Sequence, residues 1–169
     1  MSYKIIDIKS CDGKILKCYL DALMKMSITI KNMMESVAEE SEQNEALTLT
    51  NAVLTEKVLK KVIEWIEFHW DDPEPDEDFD EDKERRNKEL SYWDKQFIDV
   101  DNRLLYDIIE AANFLDIPGL IEVGSRWICT NIKGKTCTEV RQILNITNDF
   151  TKEEEDRIHN ENEWIHVKE

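Results

Sequence analysis

The feature that most limits how this chain can fold is an acidic run from residue 71 to residue 82. The run holds nine carboxylates and no basic residue, and two prolines interrupt it. Like charges at this density repel one another and gain little from collapse, so the run predicts a solvated, mobile linker. This linker carries more than half of the net charge of −16. The parts of the chain that fold on either side of it are therefore only mildly acidic.

Length and charge exclude several classes of protein. A chain of 169 residues, 41% of them hydrophobic, can bury one real core, which suits one compact domain with an appended helical segment. The acidic surplus argues against binding to nucleic acid or to an anionic membrane. No apolar run approaches the ~20 residues of a membrane helix, and no signal peptide is visible. We therefore expect a cytoplasmic or nuclear protein with reduced cysteines.

The first half of the chain predicts a hairpin followed by helices. Residues 3–9 and 14–19 are rich in β-branched side chains and flank Asp12-Gly13, a two-residue turn that suits the twist of paired strands. Residues 54–70 form the strongest helical pattern, because apolar side chains recur there every three or four residues. Weaker patterns predict helices at residues 20–25 and 28–37 and a short strand at residues 46–49.

The second half is predicted to be nearly all helical. One helix carries an apolar stripe made of Leu104, Leu105, Ile108, Ile109, Ala112 and Leu115. Another begins at Pro118 and ends before Gly134. Thr136 and Thr151 each stand three residues before a glutamate, which is the spacing of a capping box and predicts two further helices.

The last of these helices is polar, and a helix with so little to bury is marginal on its own. Trp164 near its end therefore indicates that the helix docks, either onto the domain or onto a partner. The alternative, that Trp164 simply closes the core of the domain, stays open.

No motif in the chain supports catalysis or a bound cofactor. Residues 134–136 resemble the end of a phosphate-binding loop, but Cys129 stands where that loop needs glycine. Within the acidic run, Asp76, Asp78 and Asp80 have the spacing of a calcium loop, but Glu81 occupies the glycine position and Asn87 the final glutamate position. The three histidines lack metal-binding spacing. We expect a non-enzyme without metal or cofactor, and the profile is typical of a protein-interaction module.

Several separate segments resemble one family, in order and over essentially the whole chain. They are SCDG (10–13), SITIKNM (27–33), VLKKVIEW (58–65), AANFLDI (111–117), IKGKT (132–136), NITNDFT (145–151) and ENEW (161–164). Together they are similar to the S-phase kinase-associated protein 1 family.

The resemblance implies an α/β (α+β) chain with a BTB/POZ fold, in which helices surround a small sheet, and a helical C-terminal extension that binds F-box proteins. It implies BTB/POZ segments at residues 1–70 and 91–133, an acidic flexible loop at 71–90 and the extension at 134–169. It also implies a non-enzymatic adaptor that joins F-box proteins to a cullin in an SCF ubiquitin ligase.

The resemblance also implies which residues bind each partner. Asn113 and Phe114 are expected to contact the cullin. The residues expected to contact the F-box are Leu120, Ile128, Ile132, Ile143, Asn145, Ile146, Asn148, Phe150 and Trp164. The four apolar residues before Asn145 have helical spacing, so the alternative that they are ordinary core residues stays open. Asn113 could likewise satisfy backbone groups near it.

Several residues depart from the family's pattern, among them Phe114, Glu110, Leu144, Pro118 and Lys152. Phe114 stands where tyrosine is usual, and Glu110 stands where an apolar residue is common. Which cullin and which F-box proteins are bound therefore stays open. An alternative function is a structural or regulatory BTB-type module that acts outside cullin ligases and self-associates. In the absence of an F-box partner, a weak homodimer through the uncovered F-box surface is a further expectation.

Overall fold

The computed structural model describes residues 4–38, 47–73 and 89–162. Within these ranges no helix is long and apolar enough to cross a membrane. The chain divides into two compact units, a first unit of residues 1–131 and a second unit of residues 132–169. The described elements are β1 (Ile5–Lys9), β2 (Ile15–Tyr19), α1 (Leu20–Met26), α2 (Ile28–Ala38), β3 (Leu47–Thr48), α3 (Glu56–His69), α4 (Tyr92–Ile98), α5 (Asn102–Phe114), α6 (Pro118–Ile132), α7 (Cys137–Ile143) and α8 (Lys152–Glu161). The acidic run beyond Pro73 and the predicted docking residue Trp164 lie outside the described residues.

The sheet of the first unit has the strand order β2-β1-β3. β1 and β2 are antiparallel, with Ile5 opposite Tyr19, whereas β3 runs parallel to β1. Because side chains alternate along a strand, one face of the hairpin buries Ile8 and Cys18, and the other face is exposed. The predicted strands are thus confirmed, and they cover the core with one face only.

The connection between β1 and β2 differs from the two-residue turn predicted at Asp12-Gly13, because residues 10–14 separate the strands. The Ser10 N–H donates to the Lys14 carbonyl at 2.9 Å, and the Lys14 N–H donates back to the Ser10 hydroxyl at 3.0 Å. Asp12 turns its carboxylate toward the start of α3, where Oδ1 accepts from the Glu56 N–H at 3.1 Å. The prediction of a tight turn is wrong because these side chains bind backbone donors and hold a wider loop.

The core of the first unit lies between α3 and α5 and the elements around them. The apolar stripe predicted for α3 is buried, and α5 contributes a second buried stripe of leucine, isoleucine and alanine. The large Trp65 side chain on α3 is buried as well. The buried side chains of these two helices are Val58, Leu59, Val62, Ile63, Trp65, Ile66, Leu104, Leu105, Ile108, Ala111 and Ala112.

α4 has no counterpart among the elements predicted from the sequence. Its seven residues are too few to show a helical period, although Phe97 and Ile98 on it are buried. A serine three residues before an aspartate does precede it, and the Asp94 N–H donates to the Ser91 hydroxyl at 3.0 Å. That cap was a local signal from which the helix could have been found.

The second unit contains α7 and α8, and both begin with the predicted capping box. The Thr136 N–H donates to Glu139 Oε2 at 2.7 Å, and the Thr151 N–H donates to Glu154 Oε2 at 2.9 Å. Neither helix has a fully buried residue. Local capping rather than a large core therefore defines where these helices start.

Cys11, Cys18, Cys129 and Cys137 are free thiols. Cys18 is buried under the sheet, and burial raises the pKa of its thiol to about 12. A protonated, buried thiol is a poor nucleophile, so Cys18 acts as a small core residue.

Helices α5 and α6 meet closely at Gly124, and this contact gives a first prediction. A Cβ at Gly124 would lie 2.5 Å from Cγ1 of Ile109. We expect Gly124→Ala to lower the free energy of unfolding by about 1–3 kcal/mol, because the added methyl group would overpack the contact between the two helices. Chemical denaturation measures the loss. In an Ile109→Ala background the same change should cost almost nothing, and an equal cost in both backgrounds would contradict this explanation.

Candidate protein-binding surfaces

The first candidate surface lies where the end of α5 meets the start of α2, and we call it the α2–α5 surface. It is defined by Ile28, Asn113 and Phe114. The Thr29 hydroxyl donates to the Phe114 carbonyl at 3.1 Å, and the Ile28 N–H donates to the Asp116 carbonyl at 3.2 Å. These bonds join the two helix ends and hold Ile28 and Phe114 near each other on the first unit.

The buried Ser27 hydroxyl strengthens this junction. It accepts from the Ile30 N–H and so caps α2, and it donates to the Leu115 carbonyl at the end of α5. One hydroxyl thus satisfies a backbone group at the end of each helix. Asp116 then takes a left-handed conformation with φ 50°, which ends α5. The backbone around Phe114 is therefore fixed by hydrogen bonds that do not involve its ring.

The side chains of the α2–α5 surface are available to a partner. Phe114 is 39% exposed and Ile28 is 49% exposed. Asn113 is exposed, and no described residue hydrogen-bonds its side-chain amide, although its carbonyl accepts from the Asp116 N–H at 3.2 Å. The local role left open for Asn113 thus belongs to its backbone, and its amide remains free for recognition. Two exposed apolar groups beside an amide are typical of a protein contact.

The second candidate surface belongs to the second unit and follows α7; we call it the α7–α8 surface. Its exposed residues are Asn145, Ile146, Asn148 and Phe150, and Ile143 is half-buried beside them. Asn145 has φ 53°, so it ends α7 in the left-handed conformation that asparagine tolerates. The Ile146 N–H donates to the Arg141 carbonyl at 2.8 Å, and the Ile146 side chain is 53% exposed.

A shallow cavity of about 500 Å³ lies on the α7–α8 surface, and polar side chains organise it. Glu155 Oε1 accepts from Arg141 Nη1 at 3.3 Å and from Asn148 Nδ2 at 2.7 Å. The Arg141 guanidinium lies 5.5 Å from the centre of the Phe150 ring, and Phe150 is 47% exposed. The Phe150 N–H donates to Asn148 Oδ1 at 3.3 Å. These contacts hold Phe150 in place while leaving much of its ring uncovered.

The structure places the remaining sequence-predicted residues in different environments. Leu120 is 0% exposed and packs in the core of the first unit. Its burial favours the alternative that Leu120 is a core residue over a direct contact with a partner. Ile128 and Ile132 are half-buried on α6. Trp164 lies outside the described residues. The predicted set is therefore split between core, half-buried and exposed positions.

A third cluster, which sequence reasoning missed, joins α3 to α4 through the buried carboxylate of Asp94. Asp94 Oδ1 accepts from Trp65 Nε1 at 3.2 Å and lies 3.1 Å from His69 Nε2. Its Oδ2 accepts from the Ser91 hydroxyl at 2.8 Å. His69 Nδ1 lies 2.6 Å from Oδ2 of Asp72. We call these five residues the Asp94 cluster.

Ionisation in the Asp94 cluster is set by its hydrogen bonds. Burial works against the charged form of His69, but hydrogen bonds to Asp94 and Asp72 outweigh it and raise the pKa of His69 above its ordinary value. Burial likewise works against the charged form of Asp94, but hydrogen bonds from His69 and Ser91 outweigh it and lower the pKa of Asp94. The contacts with Trp65 and His69 hold α4 against α3, and the contact with Ser91 caps the start of α4, so the cluster has a structural role.

Among the described residues, no group of histidine, cysteine and carboxylate side chains could hold a metal ion. The two surfaces consist of exposed apolar side chains beside positioned polar groups.

Comparison with known proteins identifies the family. The model described as the Skp1 family, tetramerisation domain, matches residues 4–71, and the model described as the Skp1 family, dimerisation domain, matches residues 118–165. A protein of Arthroderma otae named "E3 ubiquitin ligase complex SCF subunit sconC" is 46% identical over 138 residues, which cover 82% of this chain and 81% of that protein. Proteins of the same name from Talaromyces marneffei and Aspergillus flavus are 45% identical over 143 residues and 42% identical over 164 residues. The alignment with the Talaromyces marneffei protein covers 85% of this chain and 86% of that protein. The alignment with the Aspergillus flavus protein covers 97% of this chain and 98% of that protein.

Proposed function

The chain belongs to the Skp1 family, and from that premise we propose that it is the non-catalytic adaptor of an SCF-type E3 ubiquitin ligase, linking F-box substrate receptors to a cullin scaffold for protein ubiquitination and degradation. The observation that carries this proposal is the identity of 42% over 97% of the chain to a protein named as an SCF subunit. A similarity that extends over both units supports a shared role rather than a shared fold alone. A cytoplasmic and nuclear location goes with this role.

The α2–α5 surface is the proposed contact with the cullin. It presents the exposed ring of Phe114 and the exposed Ile28 side chain beside the unpaired amide of Asn113. An aromatic anchor next to a hydrogen-bonding group is the composition that dominates binding energy in many interfaces. The backbone bonds from Ser27 and Thr29 fix this anchor in advance, so that little ordering is needed when the cullin binds.

The α7–α8 surface is the proposed contact with the F-box. Ile143, Asn145, Ile146, Asn148 and Phe150 lie together in the second unit, and Arg141 and Glu155 position two of them. Ile128 and Ile132, half-buried on α6, are retained in the proposal, as is Trp164, whereas the fully buried Leu120 is not.

The proposal is tested by reconstitution from purified proteins. The chain should co-purify with an F-box protein, and the pair should bind a cullin N-terminal domain as a ternary complex. A chain that bound no F-box protein from a broad panel would overturn the proposed function.

Phe150→Ala gives a test of the α7–α8 surface. We expect it to weaken F-box binding about tenfold, because a half-exposed ring at the centre of an interface contributes roughly 1–2 kcal/mol. Isothermal titration against one F-box protein measures the change. Phe68→Ala is a matched control, since Phe68 is similarly exposed (49%) but lies on α3 of the first unit. Equal losses in both variants would mean that the α7–α8 surface is not the contact.

Self-association is a second candidate property of the second unit. The matching family model for residues 118–165 is described as a dimerisation domain, and Ile146, Phe150 and Ile158 remain exposed. We propose a weak homodimer that uses this apolar surface when no F-box protein covers it. Sedimentation of the purified chain should show a dimer that dissociates when an F-box protein is added, and a dimer that persists in the ternary complex would argue for a different surface.

A further inference from the structure

Next to the α2–α5 surface lies an exposed carboxylate, that of Glu110, which has no partner among the described residues. Glu110 lies four residues before Phe114 and four after Tyr106, so the three side chains share one face of α5. Tyr106 and Phe114 are each 39% exposed, and Glu110 is exposed between them. The carboxylate thus interrupts an exposed aromatic stripe that runs toward Asn113.

No described residue forms an ion pair with Glu110. The exposed bases on the same two helices are Arg103 on α5 and Lys31 on α2, and neither pairs with it. In the free protein this carboxylate is hydrated. A partner that covers Phe114 comes close to Glu110, because one helical turn separates them.

Covering an unpaired carboxylate is costly, since its lost hydration must be replaced by a counter-charge or by hydrogen bonds. We propose that the cullin seated on the α2–α5 surface places an arginine or lysine against Glu110, so that this carboxylate selects among cullins by charge. The inference rests on the proposed function, because it assumes that a cullin occupies this surface. It adds the chemistry of that partner: an apolar patch for Phe114 with a basic side chain one helical turn away.

The test compares Glu110→Gln and Glu110→Lys with the unaltered chain, each assembled with an F-box protein, for binding to every cullin of the organism that encodes the chain. Glu110→Gln should weaken binding of the preferred cullin about tenfold. Glu110→Lys should weaken it further, because the new lysine would face the basic side chain of the cullin. Raising the salt concentration should weaken the unaltered complex more than the Glu110→Gln complex. Asp7→Asn is the matched control, since Asp7 is an exposed carboxylate on β1 and should leave binding unchanged.

The outcomes separate this inference from the proposed function. Unchanged or tighter cullin binding by Glu110→Gln would overturn the basic contact while leaving the adaptor role in place. If the unaltered chain bound F-box proteins but no cullin, the cullin-linking role and this inference would both fall. A cullin preference that Glu110→Lys shifts toward a cullin with an acidic side chain at the contact would support the inference directly.

Discussion

Phe114→Lys is expected to weaken cullin binding by about a hundredfold or more while F-box binding stays unchanged. Phe114 is exposed at the end of α5, and its backbone is held by hydrogen bonds from α2 that do not need the ring. The change therefore leaves the first unit folded. It removes an aromatic anchor and places an ammonium group in an apolar contact, where the group loses its hydration without gaining a partner.

Two titrations with the same protein preparation make this test sharp. Binding to a cullin N-terminal domain should fall, and binding to an F-box protein should persist as an internal measure of folding. Phe68→Lys repeats the same chemical change at an exposed phenylalanine on α3, and it should spare both partners. Cullin binding that survives Phe114→Lys would place the cullin contact elsewhere on the chain.

Local signals accounted for much of the fold. The apolar period of α3, the two capping boxes and the β-branched strands are properties of neighbouring residues, and all of them appear in the structure. α4 was not predicted because seven residues show no helical period and because Asp94 bonds to residues 25 and 29 positions earlier in the chain. The tight turn at Asp12-Gly13 was wrong for a related reason, since Asp12 binds the start of a helix 44 residues away.

The binding surfaces were harder to predict because helical spacing does not separate core residues from interface residues. Leu120 and Ile146 were both predicted to contact an F-box, yet Leu120 is fully buried and Ile146 is 53% exposed. The difference depends on which helices pack over each side chain. The link from Arg141 to Glu155 spans 14 residues and two helices, so no short motif encodes it. The resemblance supplied candidates, and burial then distinguishes those that a partner can reach.

The Asp94 cluster gives the second large prediction. Asp94→Ala is expected to lower the free energy of unfolding by about 3 kcal/mol, which is typical when one partner of a buried ion pair is removed. The change leaves Trp65 Nε1 and the Ser91 hydroxyl without their acceptor, and it leaves the His69 ring with Asp72 alone. Chemical denaturation measures the loss. Asp99→Ala is the control, because Asp99 is an exposed carboxylate at the end of α4.

The pH dependence separates loss of the ion pair from loss of packing. The pKa of His69 is raised in the folded chain, so its contribution is complete below the unfolded pKa of about 6.5 and disappears as the pH rises through the folded value. The pKa of Asp94 is lowered, so its contribution is complete above about pH 4 and disappears on acidification. Stability of the unaltered chain should therefore decline above about pH 6.5, and Asp94→Ala should flatten that decline. The acidic limb is less diagnostic, because other carboxylates with a lowered pKa, such as those of Glu139 and Glu154, also titrate there. A slope above pH 6.5 that Asp94→Ala leaves unchanged would mean that His69 does not depend on Asp94 for its charge.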